Sequence, residues 1–538
     1  MLAQLRNVSL SFPDKKVLED ASLTVYPGDR ISLVGENGAG KTSLFRMLKG
    51  RVVPDSGDVS FARGVRIGYL EQDFAGMDED PKRTCMETAL EPFGGLIQLE
   101  ESIERLAFEL GDAGEERASK LLANLGEAQQ CFEVSGGYEY RTRTEATLEG
   151  LGLPVPLWER CVSELSAGQR VRLALARLLL EDHDLILFDE PTNHLDVPAR
   201  EWLEGHLAGM DAAYVVASHD RRFLDSVSNK VVHLDRGALT AYPGNYTAFR
   251  QQLEQAEEEG WRRYEKSRKL AKKLQRQAQD YQKWSDAGEK KKQGAGDKGF
   301  MGHKAAKLMK RSLAARRRME EAVENARTEK PFEKGAVKIE FGSSKGRRLV
   351  RAGDLVVGYS GEQPLTRELS FEVSAGDRIA VLGPNGSGKT ALLRTVLGEI
   401  PALDGEVSLA PSAKTGYFDQ DNRSVPPDVT AVEAVLGTGR DETLARTVMG
   451  RMGVKRETVS KRAAKLSSGE RAKVLLAGII LGDNNLLILD EPTNYLDIET
   501  QDVLLGALAD FPGGILLVSH DRYFVEQLAT ETLTLGLM

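Results

Sequence analysis

Two glycine-rich segments of the sequence end in lysine and threonine, a pattern suited to holding phosphate groups. They are GENGAGKT, residues 35–42, and GPNGSGKT, residues 383–390, and each follows a short apolar run and precedes a predicted helix. Glycines let backbone N–H groups surround the β- and γ-phosphates of a nucleotide, while the lysine neutralises phosphate oxygens and the threonine hydroxyl binds Mg²⁺. The predicted nucleotide contacts in these segments are Gly35, Asn37, Gly38, Gly40, Lys41, Thr42, Ser43, Gly383, Asn385, Gly386, Gly388, Lys389, Thr390 and Ala391.

An aspartate–glutamate pair ends an apolar run at residues 189–190 and again at residues 490–491. The run predicts a buried parallel strand, and the aspartate is then placed beside bound Mg²⁺. The glutamate can polarise the water that attacks the γ-phosphate, and a histidine 29 residues further on can donate a hydrogen bond to that phosphate. The predicted catalytic residues are Glu190, Glu491, His219 and His520, and the magnesium ligands predicted from these motifs are Thr42, Asp189, Thr390 and Asp490.

These motifs occur twice, in the same order. The interval from the loop lysine to the glutamine of GYLEQ or GYFDQ is 31 residues in both copies, and that from the serine of LSAGQ or LSSGE to the strand-end aspartate is 23. Only one interval differs, because the first copy has 47 extra residues between the glutamine and the serine. A repeat of this size predicts two similar domains in tandem.

Two helical hairpins are predicted outside the repeated motifs. In the 47-residue insertion, apolar residues step by three and four on both sides of the break Gly111-Asp112-Ala113-Gly114. Between the copies, a long helical pattern leads to a glycine-rich turn and a second helix. We therefore predict an α/β fold whose parts are a first domain at 1–245 with a helical arm at about 95–142, a linker at 246–332 and a second domain at 333–538.

The charge is distributed unevenly along the chain. Residues 261–320 contain 20 Lys or Arg and 6 Asp or Glu, a net charge of +14, although the whole chain carries −9. A basic segment in an acidic protein indicates a localised contact with a polyanion. The three cysteines form no CxxC pair, no apolar run is long enough for a bilayer span and no secretion signal is recognised. We therefore expect a cytoplasmic protein without a transmembrane partner.

Taken together, the motifs resemble the ATP-binding cassette superfamily over nearly the whole chain. In that superfamily two cassettes close head to tail, and each ATP with its Mg²⁺ lies between one copy's phosphate loop and the other copy's LSGGQ-type signature. The resemblance implies two composite sites within a monomer. The further nucleotide contacts that it implies are Gln72, Gln420, Ser166, Gly168, Ser467, Gly469 and the adenine-stacking aromatics Phe12 and Tyr359. It also implies that Gln72 and Gln420 are Mg²⁺ ligands. As isolated aromatics, Phe12 and Tyr359 could equally belong to the core.

Within the superfamily, EPTNHLD, EPTNYLD, LSSGE, the insertion and YPGNY before the linker resemble family F, whose members are translation factors. The resemblance implies a ribosome-bound ATPase whose linker enters the tRNA exit site, contacts large-subunit rRNA and P-site tRNA, and reaches toward the peptidyl-transferase centre. The +14 charge agrees with binding to RNA phosphates. Residues 283–312 are similar to the linkers of members that protect ribosomes from antibiotics.

Two regions outside the ATP sites have less definite predictions. The arm is acidic, so we expect it to contact a basic ribosomal protein and not RNA. Phe300 and Met301 form an apolar pair at the predicted hairpin tip, where they either contact RNA or fold back onto the linker helices.

Two other functions are compatible with tandem cassettes. The ATPase subunit of an importer can also fuse two cassettes, but such a subunit needs no long basic linker and one of its sites is often degenerate. A DNA-repair-associated ATPase is the other alternative, and copurification with DNA would favour it. The motifs also leave open whether a ribosomal role is antibiotic resistance or housekeeping translation.

Overall fold

The computed structural model describes residues 1–12, 15–71, 82–111, 113–292, 303, 306–307, 309–314, 316–321, 348–359, 363–419, 425–437, 441–494 and 496–536. The chain divides into two compact units, one of residues 1–246 with 336–538 and one of residues 247–335. Four predicted contact residues, Gln72, Gln420, Phe300 and Met301, lie outside the described residues.

The first copy of the repeat contains two β-sheets. Its strands are β1 (Ala3–Phe12), β2 (Lys15–Val25), β3 (Arg30–Val34), β4 (Ser56–Phe61), β5 (Ile67–Leu70), β6 (Leu185–Asp189), β7 (Ala213–Ala217), β8 (Lys230–Asp235) and β9 (Ala238–Pro243). An antiparallel sheet has the order β2-β1-β4, and a six-stranded sheet has the order β5-β6-β7-β3-β8-β9, parallel except for β9. Every residue of β6 and β7 is buried, as expected for central parallel strands covered on both faces.

The helices of the first copy are α1 (Lys41–Leu48), α2 (Cys85–Leu90), α3 (Gly94–Gly111), α4 (Glu115–Val134), α5 (Tyr140–Gly150), α6 (Ala167–Leu180), α7 (Val197–Ala208) and α8 (Arg221–Val227), with 3₁₀ turns at Glu91–Phe93, Val155–Leu157 and Val162–Glu164. Helices α3 and α4 pack against each other, and Arg117 binds Glu109 at 2.9 Å across the break between them. The predicted helical-hairpin insertion is therefore confirmed.

The second copy repeats this arrangement without the insertion. Its strands are β10 (Arg348–Val356), β11 (Leu369–Ser374), β12 (Arg378–Leu382), β13 (Asp404–Leu409), β14 (Thr415–Phe418), β15 (Leu486–Asp490), β16 (Gly514–Val518) and β17 (Glu531–Thr534). They form an antiparallel sheet, β11-β10-β13, and a parallel sheet, β14-β15-β16-β12-β17. Its helices are α10 (Lys389–Val396), α11 (Ala431–Leu436), α12 (Glu442–Arg451), α13 (Arg456–Val459), α14 (Ser468–Leu481), α15 (Ile498–Ala509) and α16 (Arg522–Leu528), with a 3₁₀ turn at Ala463–Lys465.

Equivalent strand ends position the predicted chemistry in both copies. Each glycine-rich segment joins a central strand to a helix, β3 to α1 or β12 to α10, and each aspartate–glutamate pair lies at the end of β6 or β15. The histidines follow β7 and β16, and these strands lie next to β6 and β15 in their sheets. The carboxyl ends of parallel strands meet at one edge of a sheet, so the groups of each copy converge there. The α/β fold with tandem nucleotide-binding domains is confirmed.

The unit of residues 247–335 is helical in its described part. It contains most of α9 (Tyr246–Lys292), and the described residues between 303 and 321 are also helical. Pairs of opposite charge four residues apart, such as Glu258 with Arg262 at 3.3 Å and Arg316 with Glu320 at 3.3 Å, support these exposed helices. None of the helices in the described part of the chain combines the length and apolar character that a membrane span needs.

Candidate nucleotide-binding sites

The glycine-rich loops have backbone conformations that require glycine. Gly40 has φ 119°, and a Cβ there would lie 2.2 Å from Val17 Cγ1, so no larger residue fits. Each loop holds its own lysine: Lys41 Nζ donates to the Gly35 carbonyl at 2.7 Å, and Lys389 Nζ donates to the Gly383 carbonyl at 2.8 Å. Both ammonium groups are therefore fixed inside loops where phosphate oxygens can replace carbonyl acceptors.

The strand-end aspartates fit the predicted magnesium ion. In the first copy, Thr42 Oγ1 donates to Asp189 Oδ2 at 2.7 Å. In the described part of the chain, neither carboxylate oxygen of Asp490 meets a hydrogen-bond partner, and both are buried. Burial raises the pKa of Asp490 to about 6, and the Thr390 hydroxyl is near enough to oppose that rise. A divalent cation would satisfy such a carboxylate, so these threonines and aspartates are suitable Mg²⁺ ligands.

The glutamates occupy a strained turn directly after the strand. Glu190 has φ 55° and Glu491 has φ 52°, in the left-handed region that side chains other than glycine seldom adopt. Each is held there by its amide, which donates to the carbonyl of Ala217 at 2.8 Å or of Val518 at 2.9 Å on the neighbouring strand. This strain at both copies is typical of a functional position, and the sequence contained no signal for it.

Each glutamate is paired with the predicted histidine of its own copy. The amide of His219 donates to Glu190 Oε2 at 3.2 Å, and its Nε2 lies 3.3 Å from Oε1; the same atoms of His520 and Glu491 are 3.1 and 3.5 Å apart.

Burial shifts the pKa of both the glutamate and the histidine in each pair. It raises the pKa of Glu190 to about 8, although the charge of Lys41 opposes this, and it also raises the pKa of Glu491. Burial lowers the pKa of His520 to about 3 and that of His219 well below its usual range. The imidazoles are therefore neutral near pH 7, and a neutral imidazole can donate one hydrogen bond without adding charge.

The first phosphate loop shares a cavity with the signature of the second copy. The cavity has a volume of about 840 Å³, and the predicted site residues that line it are Phe12, Asn37, Gly38, Gly40, Lys41, Thr42, Ser43, Asp189, Glu190, His219, Ser467, Gly469 and also Glu491 of the second site. Ser467 begins α14, where its hydroxyl accepts from the Glu470 amide at 3.2 Å. The structure thus brings together residues that are more than 400 positions apart in the sequence.

The second phosphate loop contacts the first copy near its signature. Asn385 N donates to Asp196 Oδ2 at 3.1 Å, and Asn385 Nδ2 donates to the His194 carbonyl at 3.4 Å. His194 also lies beside the signature, because a Cβ added to Gly168 would be 3.4 Å from His194 Cβ. Ser166 caps the signature helix α6 by accepting from the Gln169 amide at 3.2 Å.

The surroundings of three predicted nucleotide-contact residues indicate which of their atoms a nucleotide could contact. Phe12 is 52% exposed and Tyr359 is 42% exposed, so neither aromatic belongs to the hydrophobic core. The Ala391 side chain does pack within the core, so its contact with a nucleotide would use only the backbone N–H.

Contacts across the two copies also involve residues that the sequence did not identify. The amide of Asn37 donates to Asp497 Oδ2 at 3.4 Å, matching the contact of Asn385 with Asp196. Asp196 ends the motif EPTNHLD and Asp497 ends EPTNYLD, so their duplication was a signal that could have identified them. Within the second copy, Lys473 Nζ binds this same Asp497 at 3.0 Å. The first copy has Arg172 at the equivalent position, and nothing in the sequence indicated the Lys473–Asp497 pair.

Comparisons with known proteins agree with this geometry. The family model described as ABC transporter matches residues 18–193 and 366–494, and another with the same description matches residues 232–334. The energy-dependent translational throttle protein EttA of Escherichia coli K12 is 33% identical over 97% of this chain and 89% of its own. ABC transporter F family member 2 of Arabidopsis thaliana is 30% identical over 98% of this chain and 76% of its own.

Solved structures show the same fold at lower identity. The archaeal ribosome recycling factor aABCE1, in complex with the ribosomal stalk protein aP1, has a TM-score of 0.62 and 17% identity over 98% of this chain and 87% of its own. The full-length similarity to EttA and to the plant family F member is the more specific relation, since it covers both cassettes and the segment between them. This chain belongs to family F of the ATP-binding cassette superfamily.

Proposed function

We propose that this protein is an ATPase of translation that binds the ribosome when ATP closes its two cassettes. The observation that carries the proposal is a segment of net charge +14, residues 261–320, placed between two cassettes that both retain a complete set of catalytic groups. RNA phosphates are the natural partner for such a segment. The relative named as an energy-dependent translational throttle, which aligns over 97% of this chain, supports the assignment to translation.

ATP hydrolysis is proposed to occur in two composite sites. In the first, Lys41 binds phosphate oxygens, Thr42 and Asp189 hold Mg²⁺ together with Gln72, and Ser467 and Gly469 complete the site from the other cassette. The second site uses Lys389, Thr390, Asp490 and Gln420 with Ser166 and Gly168 in the same roles. Mg²⁺ supplies charge neutralisation at the phosphate oxygens when it is bound.

Water is activated by the glutamate of each site. Glu190 and Glu491 orient the attacking water, and the strained turn that holds each carboxylate fixes its direction. His219 and His520 are neutral and can donate Nε2–H to the transferred phosphate. Phe12 and Tyr359 stack on the adenines, which their exposure allows.

The linker and the arm are proposed to make the ribosomal contacts. The linker would enter the tRNA exit site, bind large-subunit rRNA and P-site tRNA through its exposed cations, and reach toward the peptidyl-transferase centre. The arm would contact a basic ribosomal protein. By its linker sequence, the protein is proposed to protect ribosomes from antibiotics, with relief of stalled translation as the alternative within the same binding mode.

The ATP-bound state with closed cassettes can be trapped with a double variant, Glu190→Gln with Glu491→Gln. If hydrolysis releases the protein, this variant accumulates on ribosomes in sucrose gradients with ATP, but not with ADP. The matched control is Glu149→Gln, an exposed residue of α5, which should sediment like the wild type. If the double variant sediments apart from ribosomes even with ATP, the proposal that ATP-closed cassettes hold the protein on the ribosome is contradicted.

The role of the linker is tested by reversing its charge. The triple variant Arg316→Glu, Arg317→Glu, Arg318→Glu should weaken ribosome binding and flatten its dependence on salt, because fewer counterions are released. A matched reversal of three exposed arginines in the cassettes uses Arg6, Arg63 and Arg367. Equal binding by the two triple variants would reject a specific role of the linker, and unchanged nucleotide binding in both would show that the cassettes are intact.

Antibiotic protection is tested in a sensitive bacterium. Expression of the wild type should raise the inhibitory concentration of at least one pleuromutilin, lincosamide, streptogramin or macrolide, while the Glu190→Gln, Glu491→Gln double variant should not. Unchanged thresholds for all four classes would favour a housekeeping role in translation.

A further inference from the structure

Arg200 is a buried cation at the cassette interface, the surface on which the two cassettes contact each other. It lies on α7 of the first cassette, and its Nε donates to the Leu195 carbonyl at 3.0 Å. Its Nη1 has two acceptors, Asp220 Oδ2 at 3.1 Å in its own cassette and the carbonyl of His520 at 2.8 Å in the second cassette. The guanidinium therefore links the histidine loops of both ATP sites, since Asp220 follows His219 directly.

Arg200 contacts the backbone of His520, the residue whose side chain is a proposed catalytic group of the second site. His520 donates through its own amide to Glu491 Oε2 at 3.1 Å, and its Nε2 lies 3.5 Å from Oε1. Arg200 holds the carbonyl of that same histidine. Removing the guanidinium would free the His520 backbone to rotate, and both contacts with Glu491 would change with it.

The arrangement is not repeated in the other half of the molecule. The position equivalent to Arg200, counted from the aspartate of the EPTN motif, is Gln501. Its Nε2 donates to the Leu496 carbonyl at 3.4 Å, within the second cassette, and its Oε1 is buried without a hydrogen-bond partner in the described part of the chain. In the described part of the chain, Gln501 therefore does not hold the His219 carbonyl as Arg200 holds that of His520.

Two buried carboxylates lie within the electrostatic reach of Arg200. Asp220 and Asp521 are both buried, and each is the residue that follows a proposed catalytic histidine. Burial raises the pKa of Asp521 to about 6, the charge of Asp220 adds to the rise, and the charge of Arg200 is among those that oppose it. The Arg200 guanidinium, which donates to Asp220, therefore offsets part of the repulsion between these two carboxylates.

We propose that Arg200 of the first cassette is a positioning residue for the second ATP site, where it holds the His520 loop against Glu491. The two ATP sites are therefore unequal by construction, since Gln501 performs no such role for the first. This inference rests on the proposed ATPase activity of the second site, but it is independent of the ribosome.

The test measures one site at a time. In a Glu190→Gln background, single-turnover hydrolysis reports the second site, and in a Glu491→Gln background it reports the first. Arg200→Gln should lower the maximal rate of the second site by about tenfold, because the histidine loop is misplaced, while the half-saturating ATP concentration changes by less than about twofold. The first site should lose less than about twofold of its rate.

Two further variants separate positioning from general structure. Arg200→Lys retains the cation for Asp220 but cannot make all the guanidinium contacts, so the rate of the second site should lie between those of wild type and Arg200→Gln. Gln501→Ala, the change at the equivalent position, should leave the second site unaltered. If Arg200→Gln does not fold, a loss confined to the second site in Arg200→Lys provides the same test.

The outcomes are distinguishable. Equal losses at both sites would assign Arg200 a merely structural role, and an unchanged second site would also overturn the inference. In either case the wild type still hydrolyses ATP, so the proposed function stands. If neither single background hydrolyses ATP while the wild type does, the rates are replaced by 2′(3′)-N-methylanthraniloyl-ATP release from the second site, which Arg200→Gln should accelerate and Gln501→Ala should not. A wild-type protein without ATPase activity would contradict the proposed function itself.

Discussion

The two proposed ATP sites have matching candidate catalytic residues, but the basic residues beside them make different contacts, each within its own cassette. Beside the first site, Lys473 Nζ binds the buried carboxylate of Asp497 at 3.0 Å. The equivalent residue beside the second site is Arg172, whose Nη1 donates instead to the backbone carbonyls of Leu151 at 3.3 Å and Gly152 at 2.7 Å. The motif residues have been duplicated faithfully, whereas these basic residues beside the cassette interface have not.

This difference has a simple physical origin. Groups that meet the nucleotide are constrained by the same phosphates and metal ion in both sites, so the glutamates, aspartates and histidines agree in type and spacing. Residues at the interface are constrained only by one another, so a change on one side can be matched on the other. The free energy of closure can therefore differ between two sites whose catalytic groups are the same.

The largest expected effect comes from the glutamates themselves. Glu190→Gln should lower single-turnover hydrolysis at the first site, and Glu491→Gln that at the second, each by about 10²-fold or more because the water loses its orienting carboxylate. Comparing the residual rate of each single variant shows how unequal the sites are. Hydrolysis at the wild-type rate in either variant, with Glu149→Gln as the control, would contradict the assigned role of that glutamate.

The interface cation of the first site is expected to have the next largest effect. Burial alone would raise the pKa of Asp497, but the charge of Lys473 and the hydrogen bonds from Lys473 and Thr500 together lower that pKa to about 2, so the pair is ionised and buried. Lys473→Met leaves that charge uncompensated and should lower the free energy of unfolding by about 3 kcal/mol. Arg172→Met loses hydrogen bonds to two carbonyls and should lower it by about 1–2 kcal/mol.

Denaturant titration of the nucleotide-free protein measures both losses. Asp497→Asn added to Lys473→Met removes the stranded charge and keeps an acceptor for the Thr500 amide, which Asp497 Oδ1 now binds at 2.9 Å. The double variant should therefore recover part of the stability. Equal losses for Lys473→Met and Arg172→Met would mean that the two basic residues stabilise their cassettes equally despite their different contacts.

The sequence predicted those parts of the molecule that depend on local pattern. The glycine loops, the buried strands that end at Asp189 and Asp490, and the helical hairpin broken near Gly111 all follow from spacing and hydrophobic periodicity. The head-to-tail arrangement came from family resemblance, because local pattern does not specify how two domains dock.

The remaining features depend on that docking or on strain. The left-handed turn at Glu190 and Glu491 is imposed by pairing with the next strand, which residue type does not reveal. Arg200 meets His520 across 320 positions of sequence and has no counterpart in the repeat, so no spacing could identify it. The predicted roles of Gln72 and Gln420 stay predictions, since both lie outside the described residues.

A smaller effect is expected at the exposed aromatics. Phe12→Ala and Tyr359→Ala should each weaken ATP binding by about fivefold at their own site, since one aromatic stacking contact is lost. The control is Tyr26→Ala, which removes another aromatic that is 52% exposed, at a position outside the cavity. Titration with a fluorescent ATP analogue measures the affinities. If Phe12→Ala and Tyr26→Ala bind equally well, adenine stacking at the first site is wrong.

The smallest effects are expected from two ion pairs that cross the interface at equivalent arginines. Arg221 is buried, binds Asp502 at 2.6 Å and the Ile498 carbonyl at 3.1 Å, and lies 4.4 Å from the centre of the Tyr523 ring. Arg522 binds the less exposed Glu204 and also, at 3.4 Å, Glu201, whose side chain is 60% exposed. The first pair is more shielded from solvent and the second more exposed.

Neutral replacements of the acidic partners compare these two pairs directly. Asp502→Asn should lower the free energy of unfolding by about 1 kcal/mol, since the arginine retains its carbonyl and ring contacts, and Glu201→Gln by less than about 0.5 kcal/mol. Raising the salt concentration should reduce the second loss more than the first, because solvent ions reach Glu201. A double-mutant cycle with Arg221→Met and Arg522→Met isolates each coupling energy. Equal coupling energies would mean that the two ion pairs stabilise the interface to the same extent. The asymmetry between the cassettes would then be confined to Lys473 and Arg200.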